Sequence, residues 1–364
     1  MSESTIPTGV INTVVIGAGQ AGLASGYHLA QRGEEFLILD AEARIGDGWR
    51  RRWDSLRLFT PARYSGLPGL AHPDPGAYLG KDDVADYLER YAERFALPVR
   101  HGVRVTALAK TADGFRLSTS SGENGATELR ARNVVVASGA TRVPAVPGFA
   151  SRLDADIRQL HSDEYRNPGS VAPGPVLVAG AGTSGAEIAL ELAREPAQSH
   201  PVFLAGRPTP HIPDAVFRLA GGLYWAFVNG VLTRSTPIGR TVAGKFHSRG
   251  APLIRISMKQ VEAAGVRRLP RITGVTDGQP IADGAAVPRP ATMIWATGYR
   301  PGLDWIAGLP LDEHGLPVTR RGAVESMPGL FFVGMPFQYA LTSQLLGRVG
   351  RDARYVAERI AVAQ

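Results

Sequence analysis

Apolar positions along the chain alternate between short β-branched runs and longer stretches with a helical period. Ile11, Val14, Val15 and Ile16 make one such run, and from Gln20 to Gln31 the residues Leu23, Tyr27 and Ala30 recur at helical intervals. Gly33 stops that helix before a second apolar run, Phe36 to Leu39, closed by Asp40. Strand, helix and strand in this order form a complete βαβ start. Residues Asp82 to Leu97 predict an amphipathic helix with Val84, Tyr87, Leu88, Tyr91 and Phe95 on one face and Asp82 as N-cap. Short strands are expected at Arg104 to Leu108, Phe115 to Thr119, Thr127 to Arg130 and Val134 to Ala137, with Asp113-Gly114 and Ser121-Gly122 as turns. They read as a β-meander leading back to the main sheet.

After a Pro-rich break at Pro173 the opening pattern returns: strand Val176 to Ala179, a helix through Ala193, strand Val202 to Ala205. Residues 213 to 252 interrupt this second unit. Their apolar run covers every helical face but is broken by Arg218, Gly221, Gly222 and Asn229, too short and too interrupted for a membrane span. A substrate-side lid or a subunit contact is expected there in preference to a membrane-surface helix, because the basic residues that follow are dispersed. A helix near Met258 to Ala264, a strand Thr292 to Ala296, a short strand within Gly329 to Gly334 and a terminal helix from about Thr342 to Ala363 complete the pattern. A helix starting at Thr342-Ser343 would point its positive end at an anionic partner.

The chemistry lies in the turns. The first βα turn reads Gly17-Ala-Gly19-Gln-Ala-Gly22, and the second, 163 residues later, reads Gly180-Ala-Gly182-Thr-Ser-Gly185. In a G-x-G-x-x-G turn the first glycine permits the tight turn, the second lets a pyrophosphate approach the backbone, and the third lets helix and strand pack closely. The helix N-terminus then faces the phosphates. Two such turns imply an α/β protein with two dinucleotide-binding, Rossmann-like, three-layer domains. Their second strands end differently, in Asp40 and in Gly206-Arg207. An acid suits a free ribose hydroxyl and an arginine suits a 2′-phosphate, so the first site reads as FAD and the second as NADPH. A surface arginine after a strand is the bland alternative for Arg207.

Composition removes several classes. The chain has 364 residues, 44% of them hydrophobic and 20% charged, which is ample for a core in each of two domains. Its net charge of +7 comes from arginines spread along the chain, without the basic and aromatic clustering of nucleic-acid binders. It contains no cysteine, which excludes disulfides, thiolate metal sites and any dithiol redox centre. The eight histidines show no metal-ligand spacing, and the N-terminal residues lack a basic start and apolar core for export, so a cytoplasmic location is expected.

The segments GAGQAG, DGWRRRWDSLRLFTP with SGLPG, HSDEYRNP at His161 to Pro168, GAGTSGAEIA, WATGYRP at Trp295 to Pro301, and FFVGMPFQY followed by LLGRVGRDA together resemble the flavin-containing monooxygenases, most closely their short YUCCA-like branch. The resemblance runs nearly end to end. It implies an FAD domain made of residues 1–168 and 300–364, with an NADPH domain, 169–299, inserted between them. It further implies that NADPH reduces FAD, that O2 adds to give a C4a-(hydro)peroxyflavin, and that one oxygen atom passes to a small organic substrate. The expected cofactor-binding residues are Gly17, Gly19, Gln20, Ala21, Gly22, Asp40, Gly48, Trp49, Val105, Gly139, Gly180, Gly182, Thr183, Ser184, Gly185, Arg207, Thr297, Gly298 and Gly334, and the catalytic candidates are Thr60, His161 and Gln338.

Two departures bear on that transfer. Of the family's F-x-G-x-x-x-H signature only His161 is present, with Ile157 and Ala155 at the glycine and phenylalanine positions, so His161 reads as a hinge residue as readily as a base. Tyr165 has the same two readings. Thr60 is followed by Pro61, as in the YUCCA-like branch, where larger members carry asparagine. An NADPH oxidase or flavin-dependent reductase shares every nucleotide motif, and a non-catalytic redox-sensing flavoprotein docking a partner through 213–252 stands as a reading from another class. A homodimer is compatible with each.

Overall fold

The structure is a computed structural model describing residues 9–121, 125–195, 201–207, 209–249 and 252–362. Two parallel-rich sheets dominate, each opened by one of the glycine turns. In the first, parallel strands lie in the order Val99–Arg100, Phe36–Leu39, Val10–Ile16, Gly125–Val136, Leu330–Phe332. Alternation along each strand sends Val15, Ile38 and Val135 to one face, where helices Gln20–Ala30, Lys81–Arg94 and Val349–Val362 cover them with Leu23, Leu29, Tyr87, Tyr91, Val356 and Ile360. Val14, Ile16, Leu37, Leu39, Val134 and Val136 point the other way, into a core shared with Phe115, Leu117, Leu303 and Phe332.

The meander differs from expectation in one respect. Thr127 to Arg130 and Val134 to Ala137 are not two strands but parts of a single one, Gly125–Val136. Its first half pairs antiparallel with Gly114–Ser121, which pairs with Val103–Thr111, while its second half joins the parallel sheet. The polar stretch Arg130 to Asn133 hides this continuity, because alternate positions leave Ala131 buried while Arg130 and Arg132 stay exposed.

Two helix starts also move. The Lys81–Arg94 helix is capped by Gly80, whose N–H donates to the Asp83 carboxylate at 2.8 Å, so Asp82 lies within the first turn and is not the N-cap. The terminal helix begins at Val349 and not at Thr342. Residues 342–348 form successive turns, held because Gly347 sits on the Tyr64 carbonyl so closely that a β-carbon would lie 1.8 Å from its oxygen. Ser343 instead accepts the N–H groups of Tyr339 and Ala340, both at 3.0 Å.

The second sheet is wholly parallel, in the order Arg267–Leu269, Val202–Ala205, Val176–Ala179, Thr292–Trp295, Arg158–His161. Because Arg158–His161 is its edge strand, the HSDEYRNP linker leaves this sheet and does not precede it. The crossing between sheets therefore falls at the antiparallel ribbon of Val143–Pro144 with Tyr299–Arg300, earlier than the expected 168/169 boundary.

The 213–252 interruption is a pair of helices, Asp214–Gly230 and Pro237–Arg249, the first kinked at Ala220. It leaves and rejoins the second unit beside itself, Ile212 N–H donating to the Leu253 carbonyl at 2.8 Å. Its far end reaches the first unit, where Arg234 N–H donates to the Tyr339 carbonyl and Leu341 N–H to the Leu232 carbonyl. Among the described residues no helix is long and apolar enough to cross a membrane.

Candidate nucleotide sites and the joint between them

The two glycine turns have nearly the same backbone. Gly17 and Gly180 adopt φ of +105° and +114°, open to glycine and strained for other residues. A β-carbon on Gly22 would lie 1.8 Å from the Gly17 carbonyl oxygen, and one on Gly185 would lie 1.8 Å from that of Gly180. These glycines are required by helix–strand contact. Gly19 and Gly182, the helix N-caps, have open space where a side chain would project, and no side chain caps either helix. Each turn thus presents free helix N–H groups beside a vacant approach, the donor set that a pyrophosphate fits.

Around the first turn, Asp40 accepts the Ala18 N–H at 2.9 Å with one carboxylate oxygen and the Glu42 N–H at 3.1 Å with the other. Burial raises its pKa, while those two N–H groups oppose the shift. Each oxygen retains a lone pair for a ribose hydroxyl. The Asp47–Arg50 helix brings Gly48 and Trp49 to the same place, and the Trp49 indole donates to Gln20 Oε1 at 3.4 Å. Ala21 packs against Gly334, whose φ of +88° marks the bend after the last strand of the sheet. Val103 N–H donates to the Asp40 carbonyl, which sets Val105 two residues along the strand leaving that corner, and Gly139 closes the next strand end with φ of +79°.

Around the second turn, Thr183 and Ser184 open the helix, and Arg207 stands exposed after Gly206. Arg268, which the sequence reading missed, donates to the Gly206 carbonyl at 2.8 Å and to the Leu204 carbonyl at 3.3 Å, fixing the bend from which Arg207 emerges. Thr297 and Gly298 lie at the end of the neighbouring strand. The Thr297 hydroxyl donates to the Ala145 carbonyl at 2.6 Å, so its proton serves the ribbon between the sheets.

His161 sits at this joint, 2% exposed. Its Nδ1 accepts the Asp163 N–H at 3.1 Å, so the ring proton is on Nε2, which donates to the Gly298 carbonyl at 3.0 Å. Burial lowers its pKa. With both nitrogens engaged to backbone, the ring acts as a clasp, which is the hinge reading. A polar cluster beside it was also missed: Arg52 donates to Asp163 and to the Tyr299 hydroxyl, each at 2.7 Å, and Tyr299 donates to Asp163 at 3.1 Å. These three residues come from three of the motifs quoted above, and nothing in any one motif marked their meeting. Tyr165 is buried in the second unit and donates to Glu191 at 2.9 Å, a structural placement.

Thr60 is buried with its hydroxyl 2.9 Å from that of Ser65. Ser65 donates to the Pro61 carbonyl at 3.3 Å, so within the pair it is Thr60 that donates. Gln338 accepts the Met335 N–H at 3.4 Å, and its amide nitrogen is buried against Gly322 without a hydrogen-bond partner. The structure does not bring Thr60, His161 and Gln338 into hydrogen-bond contact with one another.

The sequence profile of the pyridine nucleotide-disulphide oxidoreductases matches residues 14–205, which include both glycine turns. The chain belongs to that family. A member in Geobacillus kaustophilus, an uncharacterized CzcO-like oxidoreductase, is 38% identical over 96% of this chain and 98% of its own length. The indole-3-pyruvate monooxygenase YUCCA1 of Oryza sativa is 34% identical over 58% of this chain and 52% of its own. Among solved structures, a flavin-containing monooxygenase from Stenotrophomonas maltophilia superposes with a TM-score of 0.79 at 25% identity, covering 97% of this chain and 99% of that one. Within the pyridine nucleotide-disulphide oxidoreductases the chain is accordingly of the flavin-containing monooxygenase type, with YUCCA-like similarity, and its α/β fold is that of the flavoprotein monooxygenases. The disulphide of the family name has no counterpart here, since the chain holds no cysteine.

Proposed function

We propose that the first turn binds FAD, the second binds NADPH, and the protein is an NADPH-dependent monooxygenase of a small organic substrate. The observation that carries this reading is the pair of near-superposable turns followed by different residues, Asp40 and Arg207. When bound, FAD supplies hydride acceptance from NADPH and the subsequent reaction with O2. The chain's own residues supply position. Asp40 holds the Ala18 amide and keeps lone pairs for a ribose, Trp49 fixes Gln20, and Arg268 fixes the bend that presents Arg207 to a 2′-phosphate. Arg52 reaches from the first unit to Asp163 and Tyr299 at the joint, and His161 ties the edge strand of the second sheet to the Gly298 turn beside them. No acid–base pair is required of the protein, since the cofactor carries the difficult chemistry.

A weakly coupled NADPH oxidase is the second reading, favoured by one observation. The Thr60 proton is committed to Ser65, and Pro61 has neither a side-chain donor nor an N–H to offer in its place. The deciding experiment supplies NADPH and 18O2 to the FAD-loaded protein with a panel of amines, sulfides and 2-oxo acids. Label in a product, with peroxide formed on less than the full NADPH consumed, is the expected result. Peroxide equal to NADPH with every acceptor would leave the oxidase, and no NADPH turnover at all would leave a non-catalytic flavoprotein.

A further inference from the structure

We propose that the cavity where the Gly66–Pro68 turn meets Asn229 and the start of the Val349–Val362 helix binds an organic carboxylate. The cavity has a volume of about 240 Å³, with Leu67 and Pro68 as an apolar wall and Asn229, Arg348 and Arg351 opposite. Two glycines bring these walls together: a β-carbon on Gly347 would lie 1.8 Å from the Tyr64 carbonyl oxygen, and one on Gly350 would lie 2.3 Å from Pro68 Cγ.

The donors there are in excess. Among the described residues the Arg348 guanidinium has no hydrogen bond or ion pair to the protein, and its Nε is buried. Arg351 donates once, to the Asn229 carbonyl at 3.1 Å, and stacks on Tyr339 at 4.5 Å, while its Nε and one terminal nitrogen are buried without a hydrogen-bond partner. Beyond Tyr339 a third guanidinium, Arg321, lies between that ring and Tyr355, at 4.4 and 3.9 Å, with its Nε unpartnered as well. Against these three cations stands one buried carboxylate, Asp352, with an oxygen 3.9 Å from Arg351 Nε. Burial raises the Asp352 pKa, and a hydrogen bond from Ser343 opposes that shift.

Burial also lowers the pKa of Arg348 and of Arg351, as expected of cations taken from water without enough counter-charge. A planar carboxylate matches guanidinium donors in pairs and would satisfy the orphaned N–H groups. The positive end of a 14-residue helix adds to the attraction. The apolar wall selects an organic acid over a fully hydrated phosphate.

This inference goes beyond the nucleotide reading and does not need oxygen transfer, because binding is read without turnover. The FAD-loaded protein is titrated calorimetrically with benzoate, benzamide and inorganic phosphate. Benzoate is expected to saturate one site, with benzamide at least about tenfold weaker. Arg348→Gln should weaken benzoate about ten- to a hundredfold while FAD content and melting temperature stay unchanged, since that side chain has no protein partner to lose. Arg351→Gln should weaken it comparably and also loosen the contact with Asn229. Equal binding of benzamide, phosphate binding tighter than benzoate, or an unchanged affinity in Arg348→Gln would each overturn the site. Two sources of carboxylate are separated by kinetics: benzoate competing with the oxygen acceptor marks the substrate's own carboxylate, and benzoate binding without competition marks a free organic acid. Either supports the site.

Discussion

The two glycine turns share a backbone and differ in what surrounds it. Their helix N-caps have φ and ψ of −76° and −172° in the first and −78° and −172° in the second, and their third glycines meet the first at the same distance. Around the first, a partly buried carboxylate grips the turn through the Ala18 amide. Around the second, that role passes to Thr209, whose hydroxyl donates to the Ala181 carbonyl at 2.8 Å, and an exposed arginine follows the strand. The shared geometry can recognise only what the two ligands have in common, a pyrophosphate at a helix N-terminus. In the function proposed above, discrimination comes from the residue after the second strand, so the motif alone predicts binding and its exit predicts the ligand.

The sharpest way to break this comparison is to substitute its third glycines. Gly22→Ala and Gly185→Ala each drive a methyl group into a backbone carbonyl that cannot yield as a side chain could, and a cost of about 3 kcal/mol, the upper end of the usual overpacking range, is expected. Gly19→Val meets open space and an ordinary φ, so the fold should survive while FAD content falls. Thermal unfolding together with flavin absorbance separates the two cases. Equal melting temperatures for Gly22→Ala and wild type would refute the close-contact role.

The next effect distinguishes the two exits. Arg207→Ala should weaken NADPH by about 1.5–3 kcal/mol, or roughly one to two decades, and leave NADH almost unaltered. The ratio of kcat/KM for the two cofactors measures it. If both fall together, Arg207 supports the strand end and the exit rule fails for this protein.

The comparison also explains what was legible in the chain. Both βαβ starts could be read because each pairs an apolar run with a glycine turn whose spacing is local. What escaped reading depended on distant partners. Gly125–Val136 is one strand because an antiparallel neighbour, Gly114–Ser121, pairs with its first half and a parallel one, Val10–Ile16, with its second, which no periodicity within Arg130 to Asn133 records. The terminal helix starts seven residues late because Gly347 packs on Tyr64, nearly 300 positions away. Asp82 is a good cap by residue type, and Gly80 takes the position because Asp83 can reach back to its N–H. Arg52, Asp163 and Tyr299 meet only when both sheets are in place.

A pH-dependent effect tests the helix behind the second turn, where the first turn's helix has Ala24 in place of an acid. Glu187 is largely but not fully buried there, with the Arg255 guanidinium at 3.4 Å, and desolvation raises its pKa to about 7 against the opposing pull of that arginine. A carboxyl whose folded pKa is raised is protonated preferentially in the folded state. Its contribution to stability is therefore complete below the ordinary carboxylate range and is lost as pH rises through about 7. Glu187→Gln should accordingly gain on the order of 1–2 kcal/mol at pH 8 relative to wild type and little at pH 4, read from denaturant midpoints. A gain independent of pH would place the strain elsewhere.

The smallest effect expected is at His161, and its smallness carries the information. A general base contributes typically 10²–10⁴-fold to a rate, so removing one is conspicuous. Here Nδ1 is occupied by the Asp163 amide and the Nε2 proton by the Gly298 carbonyl, which leaves the imidazole no lone pair with which to take a proton from a substrate. What the ring does is tie the edge strand of the second sheet to the turn that follows Trp295, beside the Arg52, Asp163 and Tyr299 cluster. Glutamine can still donate to Gly298 through its amide nitrogen. His161→Gln should then change kcat by less than about twofold, lower the melting temperature modestly, and leave the pH profile of NADPH oxidation in place. A hundredfold loss of kcat with an unchanged melting temperature, or the disappearance of an ionisation from that profile, would return His161 to catalysis.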